Sequence, residues 1–286
     1  MEQISFDHLT KERFIIDKPV RLIELFCGIG AFSKALTRLG VEHESYRAVD
    51  FCKYKIAGFN AIHGMKFGTT DITELHGNDL GIIDAEDYVY ILTYSFPCQD
   101  LSNAGKRQGM KRDGGTRSGL LWEVERIIDE LTELPQVLIM ENVVAVHDSA
   151  NVDSFREWVI FLESKGYTSY SEDLNAKDYE VPQNRDRCFM VSLLDGFYTF
   201  PLPVPLAETL KDRLEPNVDE KYYLSDESVQ KLLNSTFEQQ TRRIQTGGGA
   251  VAQYAPETPK TRSVSKAVRK GGRGSTDRHE WDMIYE

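Results

Sequence analysis

The feature that most constrains the fold is a short apolar run that ends in closely spaced glycines. Residues 20–26 (VRLIELF) suit one buried strand, and they stop at residues 27–30 (CGIG). Apolar residues then recur at helical spacing over residues 31–39. The pattern predicts a strand, a tight turn and a helix, because glycine readily adopts the positive φ angles that such a turn needs.

The same alternation of strands and helices continues to about residue 195. Further strands are predicted to end near Val49-Asp50 and to cover 88–93, 137–140 and 187–194, with helices over 120–131 and 152–164. This β-α-β series predicts an α/β fold with a doubly wound, Rossmann-like sheet.

The sequence PLPVP at residues 201–205 predicts a domain boundary, because closely spaced prolines sustain neither a helix nor a central strand. We expect one domain over residues 1–200. Residues 201–286 then form a linker and a smaller domain, with a short helix over about 226–233 capped by Ser225.

The charge is distributed unevenly along the chain. With 34 Lys+Arg and 45 Asp+Glu, the net charge of −11 does not by itself indicate a nucleic-acid binder. However, residues 105–117 carry five basic residues and one acid, and residues 241–274 carry eight basic residues and one acid. These stretches are either solvated loops or loops that contact a polyanion.

No apolar run approaches the roughly 20 residues that span a bilayer, and the first 14 residues are too polar for a signal peptide. We therefore expect a cytoplasmic protein without a membrane partner. The four cysteines, Cys27, Cys52, Cys98 and Cys188, form no Cys-x-x-Cys pair, which predicts neither a metal site nor a disulfide framework.

Acidic residues follow the first turn at positions suited to a nucleoside. Asp50 lies about 20 residues beyond the glycine turn, where a carboxylate can accept hydrogen bonds from ribose hydroxyls, and Phe51 can stack on a base. Asp71-Ile72 is expected in a loop on the same edge, as an acceptor for an exocyclic amine. The alternative is an ordinary turn with surface acids.

Cys98 has the surroundings of a nucleophile. It follows a predicted strand and Pro97, and it precedes the first basic stretch, so nearby cations favour its thiolate form. Cys27, Cys52 and Cys188 lack such surroundings and are interpreted as structural.

Glu141 ends the strand LIMEN at the same predicted edge, either as a proton donor or as a loop hydrogen-bond acceptor. Arg185 and Arg187 alternate in QNRDR, so both are expected to project to one side. They suit recognition of a phosphate or carbonyl, and a salt-bridge ladder is the common alternative.

Taken in order, these segments resemble the motifs of the cytosine-5 DNA methyltransferases of bacteria and phages. The resemblance covers residues 20–195 and is most specific at SFPCQDLSNAGKRQG. The segment GGRGSTDRHEWD also resembles target-recognition sequence of this family, which implies that residues 201–286 form a linker and a partial target-recognition domain. The resemblance implies a Rossmann-like methyltransferase fold and S-adenosylmethionine as the cofactor, with Asp50 on the ribose and Asp71 on the adenine amine. The other implied cofactor-binding residues are Phe26, Gly28, Gly30, Phe51, Ile72, Ser95, Pro97 and Leu120.

The resemblance also implies a mechanism on a cytosine that is flipped out of duplex DNA. Cys98 adds to carbon 6 of the ring, Glu141 holds or protonates nitrogen 3, and Arg187 contacts the carbonyl at position 2. Arg185 supports Arg187 or contacts a phosphate. The implied DNA-binding residues are Gln99, Ser102, Lys106, Arg107 and Arg273.

Two segments that usually end such proteins, Arg-x-Leu-Thr-Pro-Arg-Glu and Gln-x-x-Gly-Asn-Ser, do not occur in this sequence. A truncated chain, a subunit of a split enzyme whose second chain supplies these segments, and a shortened protein that is inactive alone all fit. The rival enzyme class is an RNA cytosine-5 methyltransferase, whose members typically read Pro-Pro-Cys-Gln-Pro-Phe-Thr-Arg around the cysteine. Because this chain has SFPCQDLSNAG, the sequence favours DNA.

Overall fold

A six-stranded sheet carries the fold. The computed structural model describes residues 12–98, 101, 109–112, 116–181, 183–207, 225 and 227. The described residues of Met1–Leu174 and Asp186–Pro201 form one compact unit, and those of Asn175–Arg185 and Leu202–Glu286 form a second. The helix predicted at 226–233 lies outside the described residues except for residue 227.

The sheet has the order β2-β1-β3-β4-β6-β5. The first four strands in this order, β2, β1, β3 and β4, run parallel, whereas β6 pairs antiparallel with β4. The six strands are β1 (Val20–Leu25), β2 (His43–Val49), β3 (Val89–Tyr94), β4 (Val137–Asn142), β5 (Thr168–Asn175) and β6 (Asp186–Leu193). The carboxyl ends of β1 to β4 therefore meet along one edge.

In the described ranges, the α-helices that connect or flank the strands are α1 (Ala31–Arg38), α2 (Lys53–His63), α3 (Leu121–Glu130) and α4 (Val152–Ser164). Helix α3 buries Val124, Ile127 and Ile128 completely, which is the apolar stripe that its sequence spacing predicts. None of the helices in the described part of the chain is long and apolar enough to cross a membrane.

The core occupies both faces of the sheet, because successive side chains of a strand point to opposite faces. In β3, Tyr90, Leu92 and Tyr94 join the larger cluster, which also includes side chains of α3 and α4. Val89 and Ile91 join a second cluster, against which Phe32 and Leu36 of α1 pack. All six residues of β3 are buried, as expected for a central parallel strand.

The structure confirms the strands and helices predicted up to residue 195, with boundaries that differ by one or two residues. The sequence analysis did not predict α2 and β5. Helix α2 contains Gly58 and has a weak apolar stripe, with only Ile56 and Phe59 buried. Strand β5 is polar and lies at the edge of the sheet, so it lacks the apolar run that identifies a buried strand.

Candidate active site

The turn after β1 has the backbone conformation that its glycines permit. Gly28 and Gly30 have φ angles of 58° and 82°. A Cβ atom on Gly30 would lie 2.3 Å from Nε2 of His63, whereas a Cβ on Gly28 would have no atom within 4 Å. Phe26 also has a positive φ, 57°, which is unusual for an aromatic residue. The turn therefore leaves open space beside Gly28 at the edge of the sheet.

Asp50 fixes this turn to the end of β2. Its buried carboxylate accepts hydrogen bonds from the backbone N–H of Gly28 at 3.2 Å and of Cys52 at 2.9 Å, and it forms an ion pair with Lys55 at 3.0 Å. Phe51 beside it is 71% exposed. The carboxylate predicted to bind a ribose thus also holds the glycine turn in place.

Glu24 is a buried carboxylate at the same edge that the sequence analysis did not single out. Its Oε1 accepts a hydrogen bond from the backbone N–H of Phe32 at 3.2 Å, in the first turn of α1, while its buried Oε2 has no hydrogen-bond partner. Burial raises the pKa of Glu24 to about 7. The sequence feature that could have identified Glu24 is the presence of an acid inside the apolar run VRLIELF.

The raised pKa of Glu24 predicts a pH-dependent stability. An acid whose pKa is higher in the folded than in the unfolded chain favours folding at low pH, and this contribution is lost as the pH rises from about 4.5 to about 7. We expect Glu24→Gln to remove this contribution, so that the unfolding free energy of the variant relative to wild type rises by about 2.5 kcal/mol between pH 5 and pH 8. Urea denaturation at several pH values measures this difference.

Glu172→Gln, which alters an exposed carboxylate on β5, is the matched control and should follow the wild-type pH profile. Parallel profiles for wild type and Glu24→Gln would contradict the prediction.

Asp71 lies in the loop that follows α2, next to the buried Ile72. Its Oδ1 accepts hydrogen bonds from the backbone N–H of Thr73 at 3.0 Å and from the Thr73 hydroxyl at 2.8 Å, and these bonds lower the pKa of Asp71. A cavity of about 420 Å³ adjoins Asp71, with Val49 and Thr70 among its lining residues. Asp71 is thus an ionised, exposed acceptor beside a cavity.

Two hydrogen bonds pin the loop that carries Cys98. The loop, residues 95–98, follows β3, and Cys98 and Ser95 are half-buried. The Ser118 hydroxyl donates to the carbonyl of Pro97 at 2.7 Å, and the Asn142 amide donates to the carbonyl of Phe96 at 3.1 Å. Ser118 and Asn142 are buried, so their hydrogen bonds attach the loop to the protein interior.

The sequence analysis named neither Ser118 nor Asn142 as a site residue. Asn142 is the last residue of the quoted segment LIMEN, and Ser118 lies two residues before the helix predicted over 120–131. Leu120 lies in the same segment as Ser118, immediately before α3, and packs against the core.

Glu141 and Arg187 form an ion pair on neighbouring strands. Glu141 Oε1 and Arg187 Nε are 2.9 Å apart, and both side chains are largely buried. Their strands β4 and β6 are antiparallel, with Glu141 opposite Phe189. Because Tyr94 pairs with Met140, the loop carrying Cys98 leaves β3 at the level of Glu141. A thiol and a carboxylate–guanidinium pair are therefore grouped at the ends of adjacent strands.

Arg185 lies just before β6, so strand alternation does not fix the direction of its side chain. It belongs to the second unit, where its backbone N–H donates to Asn175 Oδ1 at 3.1 Å. The residues predicted to contact DNA, namely Gln99, Ser102, Lys106, Arg107 and Arg273, lie outside the described residues, and their roles stay predictions.

A family profile and related proteins both match this chain, and they indicate the same family. The profile of the family "C-5 cytosine-specific DNA methylase" matches residues 20–283. The chain is 45% identical to the type II methyltransferase M2.ScrFI of Lactococcus lactis subsp. cremoris over 139 residues, which is 48% of this chain and 38% of that protein. It is 32% identical to the type II methyltransferase M.NlaX of Neisseria lactamica over 88% of this chain and 77% of that protein.

Among solved structures, the S. pombe Dnmt2 methyltransferase matches with a TM-score of 0.59 and 22% identity, over 77% of this chain and 67% of that one. At this identity the likeness shows a shared fold. The chain spans less than half the length of the M2.ScrFI methyltransferase that it resembles.

Proposed function

Because the chain belongs to the C-5 cytosine-specific DNA methylase family, we propose that it transfers a methyl group from S-adenosylmethionine to carbon 5 of a flipped-out cytosine in duplex DNA. The observation that carries the proposal is that the pinned loop with Cys98 leaves β3 at the level of the Glu141–Arg187 ion pair. This grouping supplies a nucleophile, an acid and a cation at one edge of the sheet.

The residues of the edge fit the cofactor that the family implies. Space is open beside Gly28, Glu24 offers a carboxylate oxygen without a partner, and Asp71 offers an ionised acceptor. We assign Asp50 to the ribose, Asp71 to the adenine amine and the exposed ring of Phe51 to the adenine face. Once bound, S-adenosylmethionine supplies an electrophilic methyl group.

The remaining cofactor assignments rest on the family resemblance. Phe26, Gly28, Gly30, Ile72, Ser95, Pro97 and Leu120 complete the proposed cofactor site.

Asp50→Ala is expected to weaken cofactor binding before it affects any other step. The variant loses an acceptor for the ribose and the two backbone hydrogen bonds that hold the turn. Because hydrogen bonds to charged groups contribute about 1.5–3 kcal/mol, we expect a rise of about 10- to 100-fold in the dissociation constant of S-adenosylmethionine. Titration calorimetry measures it.

Asp153→Ala, which changes an exposed carboxylate on α4, is the control and should bind the cofactor as wild type does. Unchanged binding by Asp50→Ala would remove Asp50 from the proposed site.

The family resemblance implies the chemical role that each of the chain's own residues takes in the proposed reaction. The Cys98 thiolate adds to carbon 6 of cytosine, which makes carbon 5 electron-rich enough to accept a methyl group. Glu141 holds a proton at ring nitrogen 3, and Arg187 stabilises the charge that develops on the neighbouring carbonyl. Loss of the carbon 5 proton to a base and expulsion of the Cys98 thiolate then restore the aromatic ring.

The proposal is tested by trapping the Cys98 adduct. The full chain is incubated with S-adenosylmethionine and duplex DNA containing 5-fluorocytosine, which lacks the proton that must leave carbon 5. A covalent complex should appear on a denaturing gel. Duplex RNA with the same base is the second substrate, because a band on RNA alone would indicate the rival enzyme class.

Unmodified duplex DNA is the negative control. No band on either polymer, under conditions where the cofactor binds, would contradict catalysis by this chain alone.

A further inference from the structure

Three side chains with metal-ligating atoms meet in the first unit. His147 ends the short helix Val144–His147, Asp173 lies on β5 and Cys188 lies on β6. One ligand atom from each residue lies within 4.8 Å of the other two. Within the part of the chain that the structure describes, this is the single group of three or more histidine, cysteine or acidic side chains with such spacing.

The cluster combines a buried thiol with two accessible ligands. His147 Nε2 is 2.9 Å from Asp173 Oδ1 and 3.1 Å from Oδ2. The side chains of His147 and Asp173 are 37% and 39% exposed, whereas Cys188 is buried. An ion can therefore reach the imidazole and the carboxylate from solvent and complete its coordination on the thiol beneath them.

We propose that His147, Asp173 and Cys188 bind Zn²⁺ or a divalent transition-metal ion of similar chemistry. Imidazole nitrogen, carboxylate oxygen and thiolate sulfur are the ligands that Zn²⁺ takes in proteins, and three protein ligands leave a fourth position for water. On binding, the metal–sulfur bond forms and the Cys188 thiol proton passes to solvent.

The geometry needs only a modest adjustment. Ligand atoms around tetrahedral Zn²⁺ are about 3.3–3.7 Å apart. His147 Nε2 and Asp173 Oδ1, which are 2.9 Å apart, must therefore separate slightly, and separations of up to 4.8 Å must shorten by up to about 1 Å. The proposal requires this adjustment to come from rotation of the His147 and Asp173 side chains, which are only partly buried.

The site lies next to the proposed catalytic pair but does not depend on the proposed function. Cys188 follows Arg187 in β6 and lies opposite Asn142, which holds the loop carrying Cys98. The sequence analysis interpreted Cys188 as structural and predicted no metal site, because its ligands lie on three separate elements and form no short motif.

Cobalt titration tests the proposal. The full chain, without an affinity tag and freed of metal by a chelator, is titrated with Co²⁺. We expect one equivalent to bind, with a thiolate-to-cobalt charge-transfer band and intense visible bands of tetrahedral Co²⁺, and we expect Zn²⁺ to displace it. Absence of the thiolate band would overturn the proposal.

Variants assign the ligands. Cys188→Ser should lose the charge-transfer band, and His147→Gln and Asp173→Asn should each weaken Co²⁺ binding at least about tenfold. Cys98→Ser and Cys27→Ser, which remove the candidate nucleophile and another buried thiol, should keep the band. A band that persists in Cys188→Ser would overturn the proposal. If Cys188→Ser does not fold, the other two variants decide the question. Unchanged Co²⁺ affinity in both His147→Gln and Asp173→Asn would overturn the proposal.

Discussion

Cys98→Ser is expected to lower methyl transfer to cytosine by at least about 10⁴-fold, the order observed when an enzyme loses its covalent nucleophile. A serine hydroxyl keeps the position of the thiol but is not appreciably ionised near neutral pH, so it does not add to carbon 6. Single-turnover transfer of a labelled methyl group to duplex DNA measures the loss, and the covalent band on 5-fluorocytosine DNA should disappear with it.

Cofactor binding by the Cys98→Ser variant is the control for its folding. Cys98 is half-buried, and the bonds that hold its loop come from Ser118 and Asn142 to main-chain carbonyls, which the substitution leaves intact. The dissociation constant of S-adenosylmethionine should therefore stay within about twofold of wild type, a difference of less than about 0.5 kcal/mol. Methyl transfer at the wild-type rate would refute the proposed mechanism.

Glu141→Gln is expected to slow methyl transfer by about 10²- to 10⁴-fold, the usual contribution of a positioned acid or base. Glutamine keeps the size of the side chain but neither holds a transferable proton at nitrogen 3 nor neutralises Arg187, which lies 2.9 Å away and is largely buried. The measurement is the single-turnover rate at saturating DNA and cofactor, recorded across pH.

Glu123→Gln is the matched control, because the Glu123–Arg126 ion pair on α3 has the same 2.9 Å separation but lies outside the proposed site. It should retain the wild-type rate. Arg187→Lys keeps the positive charge and loses the fork of donors, so its rate should fall between those of wild type and Glu141→Gln. Equal rates for Glu141→Gln and Glu123→Gln would assign Glu141 a structural role alone.

The elements that the sequence predicted well are those whose signal is local. Strand β1, its glycine turn and α1 follow from an apolar run, two glycines and a helical stripe within 20 residues. Helix α4 was predicted with its observed bounds for the same reason. By contrast, α2 and β5 bury few side chains, so their residues carry little periodic signal.

The contacts of Glu24 and Asp50 could not be predicted from the sequence immediately around them. Asp50 was predicted at the end of a strand, and Glu24 lies inside the apolar run VRLIELF, but the contacts of both residues are made with other elements of the fold. Asp50 bonds to Gly28, and Glu24 bonds to the first turn of α1. The raised pKa of Glu24 arises from burial, which composition and spacing do not reveal.

By itself, the sequence determined the α/β class, the position of the glycine turn and the placement of Cys98 and Glu141 after apolar strands, because periodicity and turn chemistry act over a few residues. Only the tertiary structure decided that β6 runs antiparallel beside β4, that Arg187 consequently pairs with Glu141, and that His147, Asp173 and Cys188 meet. These contacts join residues up to tens of positions apart, and strand order and direction bring them together. The packing of the whole sheet sets that order.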